Sequence, residues 1–215
     1  MIKADLHVHT AFSGDSANTI SGVIARCLDR GINCVAITDH NTIAGALKVQ
    51  QQAPFTVIVG EEVRTTEGEV IGLFLKEEVP LGLTPQATVD RIKAQGGLVC
   101  IPHPFDRVRH SPLKNSALMA ILPGVDIIEA FNARTLFRRD IDTSLDFARA
   151  HGLLYSAGSD AHTPGEIGNA CVEMPDFNGP EEFRQALAQG RIAGRQAGLL
   201  VHLASRWNKI KRALG

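Results

Sequence analysis

Histidines and carboxylates occur in closely spaced groups along the 215-residue chain. Imidazole and carboxylate side chains without thiolates suit Zn²⁺, Mn²⁺ or Fe²⁺, whereas purely structural zinc sites use cysteine. The groups are Asp5 to His9 with Asp15 soon after, Asp39-His40, Glu61-Glu62 with Glu69 further on, His103, and Asp160 to His162. These residue types predict a cluster that binds divalent metal ions.

The spacing within two of these groups fits an extended backbone. Side chains two residues apart in a strand point to the same side, so His7 and His9 can bind one ion. Asp160 and His162 have the same relation. A lone histidine near a strand end is more often a surface or core residue. The metal-site interpretation therefore depends on all of the groups meeting in the folded chain.

Short apolar runs alternate with helix-like segments along most of the chain. The predicted strands span 2–7, 32–38, 55–60, 70–75, 98–101, 125–130 and 153–157. Helices with recognisable ends are predicted from Asn18 or Thr19 to 29, from 84 to 95, from 140 to 150 and from 179 to 190. Residues 61–75 resemble a hairpin with its turn at Glu67-Gly68.

Repeated strand–helix units in one domain predict an α/β fold, either a barrel or a doubly wound sheet. No glycine-rich phosphate loop opens the first helix, which disfavours a nucleotide-binding sheet. Five of the eight histidines lie at the carboxyl ends of predicted strands. In a βα barrel the carboxyl ends of the strands converge on the face that carries the active site. A barrel would therefore bring His7, His103 and Asp160 together.

The motifs at these strand ends are DLHVHT, ITDHNT, GEEV, IPHP and GSDAH, and jointly they are specific. They resemble the motifs of the polymerase and histidinol phosphatase family, the PHP domain family, over about residues 3–168. The resemblance implies a distorted (β/α)7 barrel of the TIM type, here with a β-hairpin after the third strand. It also implies two or three divalent ions, Mn²⁺, Zn²⁺ or Fe²⁺.

The resemblance further implies how the ligands are shared among the ions. The ligands of a first ion would be His7, His9, Glu62 and Asp160. Glu62 would bridge to a second ion, which His103 also binds. The ligands of a third would be Asp15, His40 and His162. Glu62 is expected rather than Glu61 because the family's glutamate lies two residues after the glycine, so that Glu61 points away.

The hairpin departs from the family pattern. Many close phosphatases have histidine there, in a context such as HILGL, whereas this chain has Glu69 followed by Val70-Ile71-Gly72-Leu73. Glu69 could be an oxygen ligand of the second ion or a solvated hairpin carboxylate. Ligation is the interpretation favoured here, and it would make the second site harder and more anionic.

The expected reaction is hydrolysis of a phosphate ester by a metal-activated hydroxide at a di- or trinuclear centre. Glu62, Asp160 and His162 are the expected catalytic residues, and His162 is either a ligand or the acid that protonates the leaving oxygen. Asp5 and Asp39 are expected to support the site by accepting hydrogen bonds from imidazole N–H groups. An ordinary loop cap is the alternative for Asp39.

Arginines near the strand ends are candidates for binding phosphate. Arg107 follows the IPHP motif, and Arg134 follows Asn132 at another strand end. These three are the expected substrate-binding residues, because guanidinium groups form bidentate contacts with phosphate. Arg109 and His110 lie on the same loop as Arg107 and are weaker candidates. A solvated surface role is the alternative for each arginine.

The composition is that of one soluble globular domain over 1–215. Hydrophobic residues make up 44% and charged residues 21% of the chain. The formal charge of −1 provides no global field that favours nucleic acid. Four cysteines without a CxxC pair predict free thiols, and no signal peptide or membrane span is evident. We therefore expect a cytoplasmic protein without a membrane contact or an obligate protein partner.

The last segment, about 199–214, predicts a helix with apolar residues on one side and a basic end. Docking of this helix on the barrel, with its charges in solvent, is the favoured interpretation. Contact of the basic end with nucleic acid or with a membrane surface is the alternative.

The expected substrate is a small phosphorylated metabolite or a nucleotide, which would make the protein a phosphoric monoester hydrolase. The alternative is a nuclease that acts on oligonucleotide ends, although the aromatic content of 5% disfavours a long strand-binding groove. An amidohydrolase-type metal hydrolase is less favoured because its bridging ligand is usually a carboxylated lysine, and no lysine lies at a catalytic strand end. A metal-binding sensor is disfavoured by the nearly complete ligand set.

Overall fold

The computed structural model describes residues 1–109 and 111–198. The strands of this part are β1 (Ile2–Val8), β2 (Cys34–Ile37), β3 (Thr56–Thr65), β4 (Gly68–Leu73), β5 (Leu98–Ile101), β6 (Ile127–Asn132), β7 (Leu154–Gly158), β8 (Ala170–Met174) and β9 (Arg191–Gly194). The α-helices are α1 (Ile20–Asp29), α2 (Ala44–Gln52), α3 (Pro85–Ala94), α4 (Asn115–Ile121), α5 (Arg138–Ala150) and α6 (Gly179–Ala188). The predicted C-terminal helix lies outside the described residues.

The strands form one sheet in the order β7-β6-β5-β4-β3-β2-β1-β8-β9. Neighbours are parallel from β1 to β3 and from β5 to β7, and β4 is antiparallel to both β3 and β5. The sheet curls until the segment after β7 meets β1, where His9 N donates to Ala161 O (3.1 Å) and Asp160 N donates to His7 O (2.7 Å). The result is a nearly closed barrel, and the predicted α/β barrel with a hairpin after the third strand is confirmed.

Local sequence accounts for the helices that were predicted. The Thr19 side chain accepts from Gly22 N at the start of α1, and the Thr84 side chain accepts from Ala87 N at the start of α3, which has Pro85 in its first turn. Left-handed glycines follow the helices α1, α3 and α5. The chain therefore enters and leaves these helices where capping chemistry requires it.

Two strands and two helices of the described residues were not predicted. β8 pairs antiparallel with β1, and β9 pairs antiparallel with β8. β9 has only four residues, with partly or fully exposed side chains, so its sequence carries no apolar period. The helices α2 and α4 lack a side-chain cap, which is the signal that marks α1 and α3.

The alternation of side chains divides the core into two clusters. On β2, Val35 and Ile37 pack in a cluster with residues of α1 to α5, whereas Cys34 and Ala36 pack in a second, interior cluster whose helix residues come from α6. Phe183 of α6 is fully buried in the interior cluster. All four cysteines are buried free thiols, as predicted. Among the described residues, every helix is too short or too polar to cross a membrane.

Candidate metal centre

The first donor group comes from the carboxyl end of β1, from the middle of β3 and from the loop after β7. His7 Nε2 and His9 Nε2 are 3.0 Å apart. Glu62 Oε2 lies 3.5 and 3.4 Å from these two nitrogens, and Asp160 Oδ1 lies 3.8 and 3.3 Å from them. Four ligands at about 2.1 Å from a tetrahedral ion lie roughly 3.4 Å from one another. The spacing of these buried donors therefore fits one divalent ion.

The second donor group shares Glu62 with the first. Its other oxygen, Oε1, is 3.2 Å from His103 Nε2, and Glu69 Oε2 is 4.0 Å from that same nitrogen. Glu69 is only 4% exposed. The hairpin thus turns Glu69 into the site, in contrast to the solvated alternative, and donor atoms of Glu62, Glu69 and His103 all lie within 4.8 Å of one another.

The third donor group contains Asp15, His40 and His162. The Nε2 atoms of the two histidines lie 3.5 and 3.4 Å from the Asp15 carboxylate. The His40 ring also approaches Glu62 Oε2 through Nδ1, at 3.1 Å. Because the His40 side chain is 28% exposed while the other donor side chains are nearly buried, this group lies at the mouth of the site.

Backbone conformation at two of these residues is unusual. His103 has φ 32° and Asp160 has φ 53°. Both values lie in the left-handed region, which is unfavourable for residues with a Cβ. Such conformations persist where surrounding contacts impose them, and they are frequent at functional sites. The loops after β5 and β7 thus hold both side chains in positions that regular strands would not provide.

Glu129 and Ser13, to which sequence reasoning assigned no role, contact the histidines of the first group. Glu129 Oε1 accepts from His7 Nδ1 at 2.9 Å. His9 Nδ1 lies 3.1 Å from Ser13 Oγ, which in turn donates to Asp39 Oδ1 at 2.8 Å. Glu129 had a recognisable signal, since it is the one carboxylate inside the apolar run of β6.

Asp5 and Asp39 stabilise the site differently from the prediction. Asp5 accepts from the backbone N–H groups of Ser159 and Gly168, at 2.8 and 2.9 Å. Asp39 accepts from Thr10 N and Thr10 Oγ1, both at 2.6 Å, and reaches His9 only through Ser13. The predicted direct bonds to imidazole are therefore corrected: these carboxylates bind the loops that carry the ligands.

The predicted substrate-binding residues are distributed differently from expectation. Arg134 is 3% exposed, and its Nε and Nη1 lie 3.3 Å from Glu166 Oε1 and 2.7 Å from His162 Nδ1. Asn132 donates to Glu129 Oε2 (2.9 Å) and Asp160 Oδ2 (3.1 Å). Both side chains are therefore buried and contact residues of the donor groups, and a contact of either with phosphate stays a prediction.

The other two arginines exchange the roles that sequence reasoning gave them. Arg107 is largely exposed, is paired with Asp140 at 2.8 Å and stacks on Phe137. Arg109, the weaker candidate, reaches the centre, where its guanidinium pairs with Asp160 and lies 3.4 Å from Asn132 Oδ1. Position along a loop does not reveal which arginine points inward, because that depends on the path of the loop.

Burial and neighbouring charges shift the pKa values of the site residues in opposite directions. Burial lowers the pKa of His7, but Glu129, Asp160 and Glu62 outweigh it and raise that pKa well above 6.5. The His40 pKa is likewise lowered by burial but raised overall by Glu62 and Asp15. Burial raises the pKa of Glu62, and the two imidazoles bring it well below its ordinary value. Burial and the neighbouring His162 lower the pKa of His9 to about 3.

These shifts predict that metal binding depends on pH. His7 and His40 are protonated at neutral pH without metal, and a protonated imidazole nitrogen cannot be a ligand, so binding must release protons. Zinc affinity should therefore rise as pH rises from about 6 to about 8. Titration calorimetry in two buffers of different ionisation enthalpy measures the released protons. A zinc affinity that is constant across this range would contradict the assignment.

The fold and the donor groups together define a metal-dependent hydrolase of the barrel type. Residues 5–108 match the PHP domain model, and residues 138–192 match the PHP-associated model. An uncharacterized protein of Methanocaldococcus jannaschii is 35% identical over 196 residues, which cover 86% of this chain and 79% of that protein. A second uncharacterized protein of the same organism is 40% identical, with coverage of 61% and 84%. The chain therefore belongs to the PHP domain family.

Solved structures support the same fold. A two-domain Bacteroides vulgatus protein, described as containing a predicted PHP-like metal-dependent phosphoesterase, superposes with a TM-score of 0.72 at 17% identity. Endonuclease Q, in complex with a 27-mer duplex substrate that has an abasic lesion, gives a TM-score of 0.68 at 17% identity. The matches cover 90% and 91% of this chain but 65% and 60% of those chains. At such identity the likeness establishes the fold alone.

Proposed function

We propose that this protein hydrolyses phosphate esters of small metabolites or nucleotides at a centre of two or three divalent ions, Mn²⁺, Zn²⁺ or Fe²⁺. The observation that carries the proposal is the position of Glu62, whose Oε2 lies 3.5 Å from His7 and whose Oε1 lies 3.2 Å from His103. One carboxylate between two donor groups is the arrangement of a bridged metal pair. When bound, such ions activate water and neutralise charge on phosphoryl oxygens.

In this proposal the two carboxylate oxygens of Asp160 have different contacts and different roles. Oδ1 faces the imidazole of His9 at 3.3 Å. Oδ2 accepts from Asn132 Nδ2 at 3.1 Å and pairs with Arg109. The pKa of Asp160 is raised by burial but lies well below its ordinary value because of Arg109 and His7, so the carboxylate stays ionised. Arg109 thus orients Asp160 and also pairs with Asp106 at 3.4 Å, and in this proposal its guanidinium contacts the phosphoryl group as well.

A pocket of about 650 Å³ adjoins Arg109. Such a cleft can accept the alcohol half of the ester. Its lining includes two carboxylates, Asp106 and Asp140, and four cationic residues: Arg107, Arg109, Lys114 and Arg139. This excess of cations favours an anionic or nucleotide-like leaving group over a neutral one.

Replacing Arg109 with alanine is expected to raise KM for phosphate esters by about 10-fold or more, because a charge-assisted hydrogen bond contributes about 1.5–3 kcal/mol. Metal content should stay near two or three ions, since Asn132 still holds Asp160. Arg134→Ala is the contrasting variant: its neighbour His162 loses support, so we expect metal loss there. Steady-state kinetics with elemental analysis separates the two, and unchanged KM in Arg109→Ala would refute the assignment.

His162 has two contacts at Nδ1 that exclude each other. Asp160 O lies 2.8 Å from this nitrogen, and Arg134 Nη1 lies 2.7 Å from it. The carbonyl requires a proton on Nδ1, whereas the guanidinium can only donate to an unprotonated Nδ1. With the proton on Nδ1, the Nε2 lone pair faces Asp15 and suits a metal ligand. With the proton on Nε2, His162 suits the acid that protonates the leaving oxygen.

We propose the ligand role, which His162→Gln tests. A lost ligand slows hydrolysis of activated and unactivated esters alike, whereas a lost acid slows only the unactivated ester, by about 10²–10⁴-fold. Rates with nitrophenyl phosphate and an alkyl phosphate measure the difference. Selective loss on the alkyl ester would assign the acid role instead.

The experiment that tests the function is a phosphate-release screen over phosphorylated metabolites and nucleotides, with Mn²⁺, Zn²⁺ and Fe²⁺ supplied in turn. A nuclease that acts on oligonucleotide ends is the second candidate, and the cationic pocket is the observation that favours it. End-labelled oligonucleotides in the same screen separate the two candidates. Hydrolysis of amides without hydrolysis of phosphate esters would refute both.

A further inference from the structure

Glu129 is a buried carboxylate of β6 that contacts two of the donor groups and belongs to neither. Its Oε1 accepts from His7 Nδ1 at 2.9 Å. Its Oε2 accepts from the backbone N–H of His103 and from Asn132 Nδ2, both at 2.9 Å. The side chain therefore joins β1, β5 and β6 behind the proposed metal centre.

The contact with His7 decides which ring nitrogen is available to a metal ion. An ionised carboxylate only accepts hydrogen bonds, so His7 Nδ1 must carry the proton. The lone pair of the neutral ring is then on Nε2, which faces His9 Nε2 at 3.0 Å and Glu62 Oε2 at 3.5 Å. A carboxylate behind an imidazole fixes both the tautomer and the ring orientation.

The other oxygen of Glu129 supports two further donors. It accepts from the N–H of His103, whose φ is 32°. A backbone in this left-handed region persists only where its surroundings constrain it, and this hydrogen bond is such a constraint. The same oxygen also accepts from Asn132 Nδ2. Asn132 Nδ2 in turn donates to Asp160 Oδ2 at 3.1 Å and so orients that carboxylate. One carboxylate thereby fixes the positions of His7, His103 and Asp160.

We propose that Glu129 is a positioning residue that commits His7 to metal binding and aligns the two donor groups that share Glu62. The inference rests on the proposed metal centre. It assigns to Glu129 a specific consequence, the protonation of Nδ1 in His7, which simple packing of a buried side chain would not produce.

The Glu129→Gln substitution distinguishes the two carboxylate oxygens, because glutamine has one oxygen and one NH₂ group in their place. At the Oε2 end both partners are donors, and the backbone N–H of His103 cannot become an acceptor. At the Oε1 end the single partner is an imidazole, which can change its tautomer. The glutamine oxygen therefore remains at His103 and its NH₂ group faces His7. This arrangement moves the His7 proton to Nε2, the atom that would bind the ion.

The first measurement is zinc binding to the full chain. We expect Glu129→Gln to weaken the site that contains His7 by about 10–100-fold, as is common when an orienting partner of a ligand is removed. The site at His103 and Glu69 should keep the larger part of its affinity. Glu61→Gln is the matched control, because Glu61 is equally buried on the other side of β3 and accepts from Val79 N at 2.8 Å.

The second measurement is the tautomer of His7, observed by nitrogen-15 NMR of histidine-labelled, zinc-loaded protein. Wild type should carry the proton on Nδ1, whereas the His7 ring of Glu129→Gln should carry it on Nε2 and no longer bind zinc. A wild-type proton on Nε2, or a Glu129→Gln variant with wild-type affinity and tautomer, would overturn the inference. A wild-type proton on Nε2 overturns the inference by itself, so the inference can be refuted even if the variant does not fold. Failure of wild type to bind zinc would instead refute the metal centre itself.

Discussion

Replacement of Glu62 with glutamine is expected to reduce phosphate-ester hydrolysis by about 10³-fold or more, because the amide removes the charge shared by two proposed ions. Glu62 Oε2 lies within 3.5 Å of His7 and His9, and Oε1 lies 3.2 Å from His103. An amide can present one oxygen to only one of these groups. The measurement is kcat/KM together with metal content by elemental analysis.

Glu61→Gln is the control for this variant as well. The two glutamates are adjacent, are both buried and differ in the side of β3 on which they lie. Burial raises the pKa of Glu61 to about 7, so its carboxyl group is partly neutral and glutamine resembles it closely. We expect nearly unchanged activity and metal content. A Glu62→Gln variant that kept its metal ions and its activity would contradict the bridging role.

The sequence predicted the donors because strand alternation is a local property. His7 and His9 must lie on one side of β1 in any extended chain, and the carboxyl ends of parallel strands meet in any βα barrel. Glu62 and Glu61 were distinguished by the resemblance to the family, whose glutamate lies two residues after the glycine. These inferences need no knowledge of how loops pack, and the structure brings the donors to one mouth of the barrel.

The supporting residues could not be predicted in the same way. Arg109 and Arg107 are two positions apart on one loop, and only the path of the loop decides that Arg109 reaches Asp160. Asp39 contacts Ser13 rather than an imidazole because the loop after β1 folds back over it. Such contacts depend on tertiary packing, to which neither residue type nor spacing is a guide.

The strands β8 and β9 also could not be predicted from the sequence pattern. β8 is short, and it lies beside β1 through an antiparallel pairing of Ile2 with Met174. A (β/α)7 pattern predicts a parallel neighbour at that position, so the reversed strand could not be inferred from strand–helix alternation. The barrel is instead joined, at the end that carries the donor groups, by hydrogen bonds between the loop after β7 and the end of β1.

The second substitution with a large expected effect is Gly158→Ala, because Gly158 lies where β7 meets β1. A Cβ on Gly158 would lie 2.3 Å from His7 Cβ and 2.8 Å from both Glu129 Oε1 and His7 N. Gly158→Ala therefore forces β7 and β1 apart at the first donor group. Overpacking of this kind costs about 1–3 kcal/mol, which lowers Tm by roughly 2–12 °C in a chain of this size.

The expected result for Gly158→Ala is a lower Tm without metal together with weaker zinc binding, because the displaced atoms belong to His7 and to its partner Glu129. Gly165→Ala is the control, since a Cβ there meets nothing within 4 Å and should leave both quantities nearly unchanged. Thermal unfolding and zinc titration measure them. A fall in Tm with intact zinc affinity would mean that His7 can shift without losing the ion. The position of His7 would then not depend on the close contact between β7 and β1.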